Sequence, residues 1–162
     1  MSMFLKRYLN YNRIVKPLLF IILALIAWFL VVNQSKLRQT NPEHRLDTTI
    51  TIKGIELKTM IVDTPEGRSL GLSDHTILHK DEAMLFIFNR VGVYPFWMKD
   101  MDFPIDIFWL NENKEIVFIK EHAEPSDYPK SYNPRTGARY VVETVDGFAH
   151  ENEIEIGNSI SW

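Results

Sequence analysis

The chain reads as mainly β: a compact antiparallel sandwich or partly open barrel with one or two short helices, preceded by a single transmembrane helix. Three observations carry that reading. From residue 48 onward, apolar and polar residues alternate in run after run, which puts the apolar ones on one face of successive strands. Turn residues interrupt these runs at short intervals, as an all-β domain requires. Ahead of them, Pro17 to Val32, "PLLFIILALIAWFLVV", holds no charged or strongly polar side chain.

Extended back to Ile14, with only Lys16 intruding, that segment is ~28 Å long at about 1.5 Å per residue, the thickness of a bilayer's hydrocarbon core. Arg13 and Lys16 can snorkel to one interface, where Tyr8 and Tyr11 also fall, and Trp28 approaches the other. A buried soluble helix would need a polar stripe or a large domain around it. A cleaved secretory signal is the stronger rival, but "AWFLVVNQS" lacks a small-x-small cleavage pattern. Four basic residues precede the span and only Lys36 and Arg38 follow closely, which places the N-terminus in the cytoplasm. The expected organisation is a basic cytoplasmic segment at 1–13, a signal anchor in the cell membrane at 14–32 with the lipid bilayer as its partner, a polar stalk at 33–47, and an extracytoplasmic β domain at 48–162.

Composition bounds the chemistry. Of the 162 residues, 46% are hydrophobic and 12% aromatic, enough for a packed core. With no cysteine there is no disulfide, thiol nucleophile or thiolate metal site. The first forty residues carry six basic and no acidic side chains, which leaves 12 basic and 21 acidic residues beyond them, a net of -9. Such an acidic domain argues against nucleic acid as a partner.

The elements follow in order. "TTITIKGIELKTMIV" gives two alternating runs around Lys53-Gly54, a hairpin. Thr64 can cap a short helix with Pro65 at its first position and Glu66 near its positive end, fading at Gly71. Further strands are expected at Ala83–Phe88, Tyr94–Lys99, Ile105–Leu110, Glu115–His122, Ala138–Val145 and Ile156–Ser161, with turns at Asn111–Lys114 and Gly157-Asn158 and a helical turn around Phe148–Asn152. The connection from Glu124 to Arg139, with three prolines and two tyrosines, is long enough to suggest a binding loop.

Two carboxylates stand out. In "IDIFWL", Asp106 shares a strand face with Phe108 and Leu110; in "YVVETV", Glu143 shares one with Val141 and Val145. A carboxylate taken from water must find donors or take up a proton. Lys99, Arg139 and the amides of the Asp100–Phe103 turn are the nearest suppliers. One reading makes the two acids internal staples between loops and sheet; the other brings Lys99, Asp106 and Glu143 into one pocket flanked by Trp97. No metal site is expected. Asp100-x-Asp102-x-x-x-Asp106 has Ile105 and Asn111 where a calcium loop of the EF-hand kind needs glycine and glutamate, and His75 with His79 lacks a third ligand. No serine-hydrolase, phosphate-loop or dinucleotide motif is present, so no cofactor is expected.

Taken in order, "DTPEGRSLGL", "DEAMLFIF", "FWMKDMDFPIDIFWL", "EIVFI", a proline-rich loop, "ARYVVETVDGF" and "IEIGNSI" resemble the domain of unknown function family 192 from about Ile50 to the C-terminus. The resemblance implies a small, mainly β bacterial or archaeal domain, often behind a signal or anchor, and brings no activity. Asp100 stands where the family usually has Asn, "TVDGF" replaces an Asn-Ala-Gly-like turn, and the proline-rich loop lacks the cysteine pair of many relatives. The functional expectation is a membrane-tethered extracytoplasmic binding or interaction module for envelope glycan or protein. Its surface would use Trp97, Lys99, Asp106, Tyr128, Tyr132, Arg139 and Glu143. The alternative is an envelope hydrolase with Asp106 and Glu143 as acid and base.

Overall fold

The structure, a computed structural model, describes residues 22–29 and 46–162. The chain divides into two units, Met1–Pro42 and Glu43–Trp162. In the first, residues 22–29 form helix α1, wholly apolar and with exposed side chains. The rest of the expected 14–32 span lies outside the described residues, and among those described no helix is long and apolar enough to cross a membrane. Most of the expected stalk also lies outside them.

Among its described residues the second unit is built on nine strands: β1 (Leu46–Ile52), β2 (Ile55–Val62), β3 (Glu82–Gly92), β4 (Phe96–Trp97), β5 (Ile105–Leu110), β6 (Ile116–Ala123), β7 (Ser131–Tyr132), β8 (Ala138–Val145) and β9 (Ile160–Ser161). Two short helices join them, α2 (Pro65–Leu70) and α3 (Phe148–Glu151). Seven strands form one sheet in the order β6-β5-β8-β3-β2-β1-β9, and β4 pairs with β7 in a separate ribbon.

Local chemistry explains the boundaries. Lys53 and Gly54 both take positive φ, 49° and 83°, the geometry of a two-residue turn whose twist matches its strands. The Thr64 side chain accepts a hydrogen bond from the Gly67 amide at 3.0 Å, and Pro65 opens α2. Asn111 Oδ1 closes the β5–β6 turn by accepting from the amides of Asn113 and Glu115.

The sheet is not purely antiparallel, and here expectation is corrected. β3 runs parallel to β2, with Lys58 opposite Glu82 and Val62 opposite Phe86. The stretch between them, carrying α2 and an irregular loop, is long enough to cross over and start again at the same end. Of the two expected architectures, the sandwich is not built and the partly open barrel is. The sheet curls into a half-barrel whose ends meet at one rim: a Glu115–Ser159 bridge and the Ile116 N–H to Asn158 C=O bond of 2.9 Å join the start of β6 to the approach to β9.

Both faces are covered. Inside the curl, side chains from all seven strands meet, among them Ile50, Leu57, Leu85, Phe108, Val142 and Ile160, with Phe148 of α3 packed edge-on to Phe108. Outside, Met84, Phe86, Ile107, Trp109 and Val141 lie beneath α2, the loop after it and the β4–β7 ribbon. All six residues of β5 are buried, as a central strand covered on both faces must be.

Candidate functional site

Asp106 and Glu143 lie on opposite faces of this sheet. Asp106 pairs with Thr144 and faces the interior, whereas Glu143 pairs with Ile107 and Met84 and faces the outer layer. The expected convergence of Lys99, Asp106 and Glu143 is therefore not what the chain builds. Adjacent positions on neighbouring central strands alternate sides, so pairing Asp106 with Thr144 sends Glu143 the other way.

Asp106 is fully buried and bridges two backbone amides: Oδ1 accepts from His122 N–H at 3.0 Å and Oδ2 from Ala149 N–H at 2.9 Å. The first amide belongs to a bulge in β6, where the register jumps between Ile105 and Ile107 and His122 takes a φ of 51°. The second lies in the first turn of α3, whose cap residue, Gly147, has no side chain to offer. One carboxylate thus satisfies two backbone donors that local sequence leaves without partners. The donors are these amides rather than Lys99, Arg139 or the Asp100–Phe103 turn.

Glu143 stands in a different setting. Only 5% exposed, it lines a cavity of about 260 Å³ between α2, β3 and the Tyr94–Met101 segment. Among the described residues no donor reaches its Oε2. Burial pushes its carboxyl up to about 8, so at neutral pH it holds a proton and can both donate and accept. Around it are rings: Phe86 meets Phe96 edge to face at 4.9 Å, and Phe88 stacks on Tyr94 at 3.5 Å. The Trp109 indole donates to the Tyr94 carbonyl at 2.8 Å, which pins the aromatic segment over β5.

Two cations line the cavity. Arg68, in the last turn of α2, donates to the carbonyls of Asp63 and Ile87 and sits 5.2 Å from the Phe88 ring centre, so its position is fixed. Lys99 is more exposed, 3.9 Å from the Asp100 carboxylate. Trp97, 51% exposed, completes the wall. Trp97, Lys99 and Glu143 are thus brought together, while the other expected residues sit elsewhere.

Tyr132 is buried rather than displayed. Its ring packs in the outer core, its hydroxyl donates to Asp127, and β7 pairs it with Phe96. Burial and then Asp127 raise the Tyr132 hydroxyl, while the hydroxyl holds Asp127 below the usual carboxylate range. The proline-rich loop is therefore tied down by a 3-10 turn at Pro125–Asp127 and by β7, and Tyr128 is its exposed aromatic. Arg139 reaches across to donate to the Asn89 carbonyl, clamping β8 to β3.

Sequence reasoning missed Arg68, Phe86, Phe88, Phe96 and Met101 as cavity residues. Alternation along β3 puts Met84, Phe86 and Phe88 on one face, but only the pairing of Met84 with Glu143 shows that this face carries the acid. His75 and His79 lie in the irregular loop after α2, not on a helix, and no group of three metal-ligating side chains occurs among the described residues.

Fold and cavity together define a class, a curled-sheet domain with an aromatic pocket on its outer face. Residues 48–162 match the domain of unknown function family 192, described as "Uncharacterized ACR", and the chain belongs to that family. It is 36% identical over 58 residues to a "UPF0127 protein" of Thermococcus sibiricus, a match spanning 36% of this chain and 35% of that protein. Among solved structures it resembles a protein of unknown function from Novosphingobium aromaticivorans, at TM-score 0.68 and 24% identity over 71% of this chain and 84% of that one. A candidate transcription regulator from Sinorhizobium meliloti 1021 is similar at TM-score 0.65 and 22% identity, over 70% and 89% of the two chains. At these identities the likeness establishes the fold alone.

Proposed function

We propose that this chain is a membrane-tethered extracytoplasmic binding module whose ligand enters the pocket between α2, β3 and Tyr94–Met101. The carrying observation is Glu143: a buried carboxyl whose Oε2 meets no donor among the described residues, on the wall of an open aromatic cavity. A bound molecule that supplies the missing hydrogen bond gains what the empty domain forgoes. The cavity suits a small molecule or one projecting group of an envelope glycan or protein, and the exposed Trp97 ring offers a stacking surface at its edge. Residues 14–32 hold the module at the bilayer, and the acidic balance of the rest disfavours nucleic acid. The hydrolase alternative has less to stand on, because its second carboxylate faces the sheet interior.

Ligand-observed NMR on the full chain in lipid nanodiscs, with a library of small polar and aromatic fragments, tests the pocket. Binding that Phe96→Ala and Glu143→Leu abolish supports the reading; binding indifferent to both overturns it. Protease added to intact spheroplasts tests the topology. Digestion of residues 48–162 is expected, and full protection contradicts the extracytoplasmic placement.

A further inference from the structure

The pocket has two poles. At the mouth, Arg68 and Lys99 carry positive charge, and among the described residues Glu143 is the one acidic residue that lines the cavity with them. At depth, Glu143 Oε2 meets no donor among the described residues, and the rings of Phe86, Phe88 and Phe96 give the carboxyl an apolar wall. A simple anion would pair with the mouth and leave Glu143 unsatisfied. A simple cation would suit the depth but meet repulsion on entry. A neutral, hydroxyl-rich ring would leave both mouth cations idle and press polar edges against phenyl groups.

Building on the binding-module reading, we propose that the pocket takes a small zwitterion, with a protonated amine against Glu143, an apolar chain or ring between the phenyl groups, and an anionic group at Arg68 and Lys99. The chemistry of entry follows. The ammonium group meets a protonated carboxyl, the carboxyl O–H bond breaks, its proton passes to solvent, and a buried carboxylate–ammonium pair remains. No bond to carbon changes and nothing is oxidised.

Few other groups compete for Glu143. Its cross-strand neighbours, Met84 on β3 and Ile107 on β5, do not titrate. From α2 comes Arg68; from the Tyr94–Met101 segment come Tyr94, Lys99 and, beside Lys99, Asp100; on β8 itself Arg139 lies four residues away, one guanidinium nitrogen donating to the Asn89 carbonyl while its buried Nε has no partner among the described residues. No ion pair within 4.0 Å joins Glu143 to any of them among the described residues. The incoming amine is thus the partner the site lacks.

Calorimetric titration of the full chain in nanodiscs tests this, using 6-aminohexanoate and 4-(aminomethyl)benzoate as zwitterions and hexanoate, hexylamine and glucose as single-pole and neutral controls. In two buffers of different ionisation heat at about pH 7, each zwitterion is expected to release about one proton and to bind at least about tenfold more tightly than any control. Affinity should rise about tenfold per pH unit up to about pH 8. Glu143→Gln should abolish proton release, and Lys99→Gln should weaken zwitterions and hexanoate alike. Binding without proton release, or hexanoate or glucose equalling the zwitterions, overturns the zwitterion assignment and leaves a binding pocket. If no probe binds, the pocket reading falls with it.

Discussion

Asp106 and Glu143 show how two buried acids with the same sequence signature reach opposite ends. Asp106 receives two amide donors and stitches a bulge to a helix start. Asp106→Ala leaves both amides buried without acceptors and should cost roughly 3–5 kcal/mol, read as a lower urea midpoint at unchanged slope. A loss under about 1 kcal/mol would contradict the staple. Glu143 Oε2 receives no donor among the described residues, and the sign of its pH effect is opposite to that of a paired carboxylate. Its folded value, about 8, lies above the unfolded 4.5, so between those values the folded state holds a proton that the unfolded chain has released. Stability therefore falls as pH rises through that window, by on the order of a few kcal/mol, and Glu143→Gln should flatten the dependence and be the more stable protein at alkaline pH. Thermal denaturation across that range reads both. That these acids are buried was legible from strand alternation alone. Their fates were not, because the donors of Asp106 lie 16 and 43 residues away in the chain.

Among the elements, α2 does most to shape the pocket, since its last turn carries Arg68 and its cap is Gly71. Thr64→Ala removes the side chain that accepts from the Gly67 amide and should cost about 1 kcal/mol. Because Arg68 is positioned by this helix, the same change should weaken hexanoate binding more than hexylamine binding in the titration above. Equal weakening would detach α2 from the anionic pole. Elements set by neighbouring residues were readable in advance. The Lys53-Gly54 hairpin, the Thr64-Pro65 helix start, and strands β5 and β8 all fall where turn chemistry and period two put them. Those set by distant pairing were not: β2 and β3 are parallel because of where the chain returns, and β7 is two residues whose place depends on β4. Tyr132 looked like a surface aromatic for the same reason, since its burial comes from packing beneath a loop that has no rhythm of its own.

For the β domain, the governing feature is a curled sheet covered on both faces and joined at one rim. The interior serves stability. Phe108, fully buried and packed against Phe148, should cost about 3–5 kcal/mol on truncation to alanine without altering ligand binding. The outer layer leaves a gap between α2 and the aromatic segment, and Glu143 faces it without a partner. A buried carboxyl that faces the gap with no donor at its Oε2 among the described residues is the premise of both the pocket reading and the zwitterion proposal, and a proton kept at neutral pH is its consequence. Carbon-13 NMR of the Glu143 side-chain carboxyl, assigned by its loss in Glu143→Gln and followed across pH, measures that consequence directly. A titration midpoint near 8 is the result this account predicts, and a midpoint in the ordinary glutamate range, about 4 to 5, would contradict it.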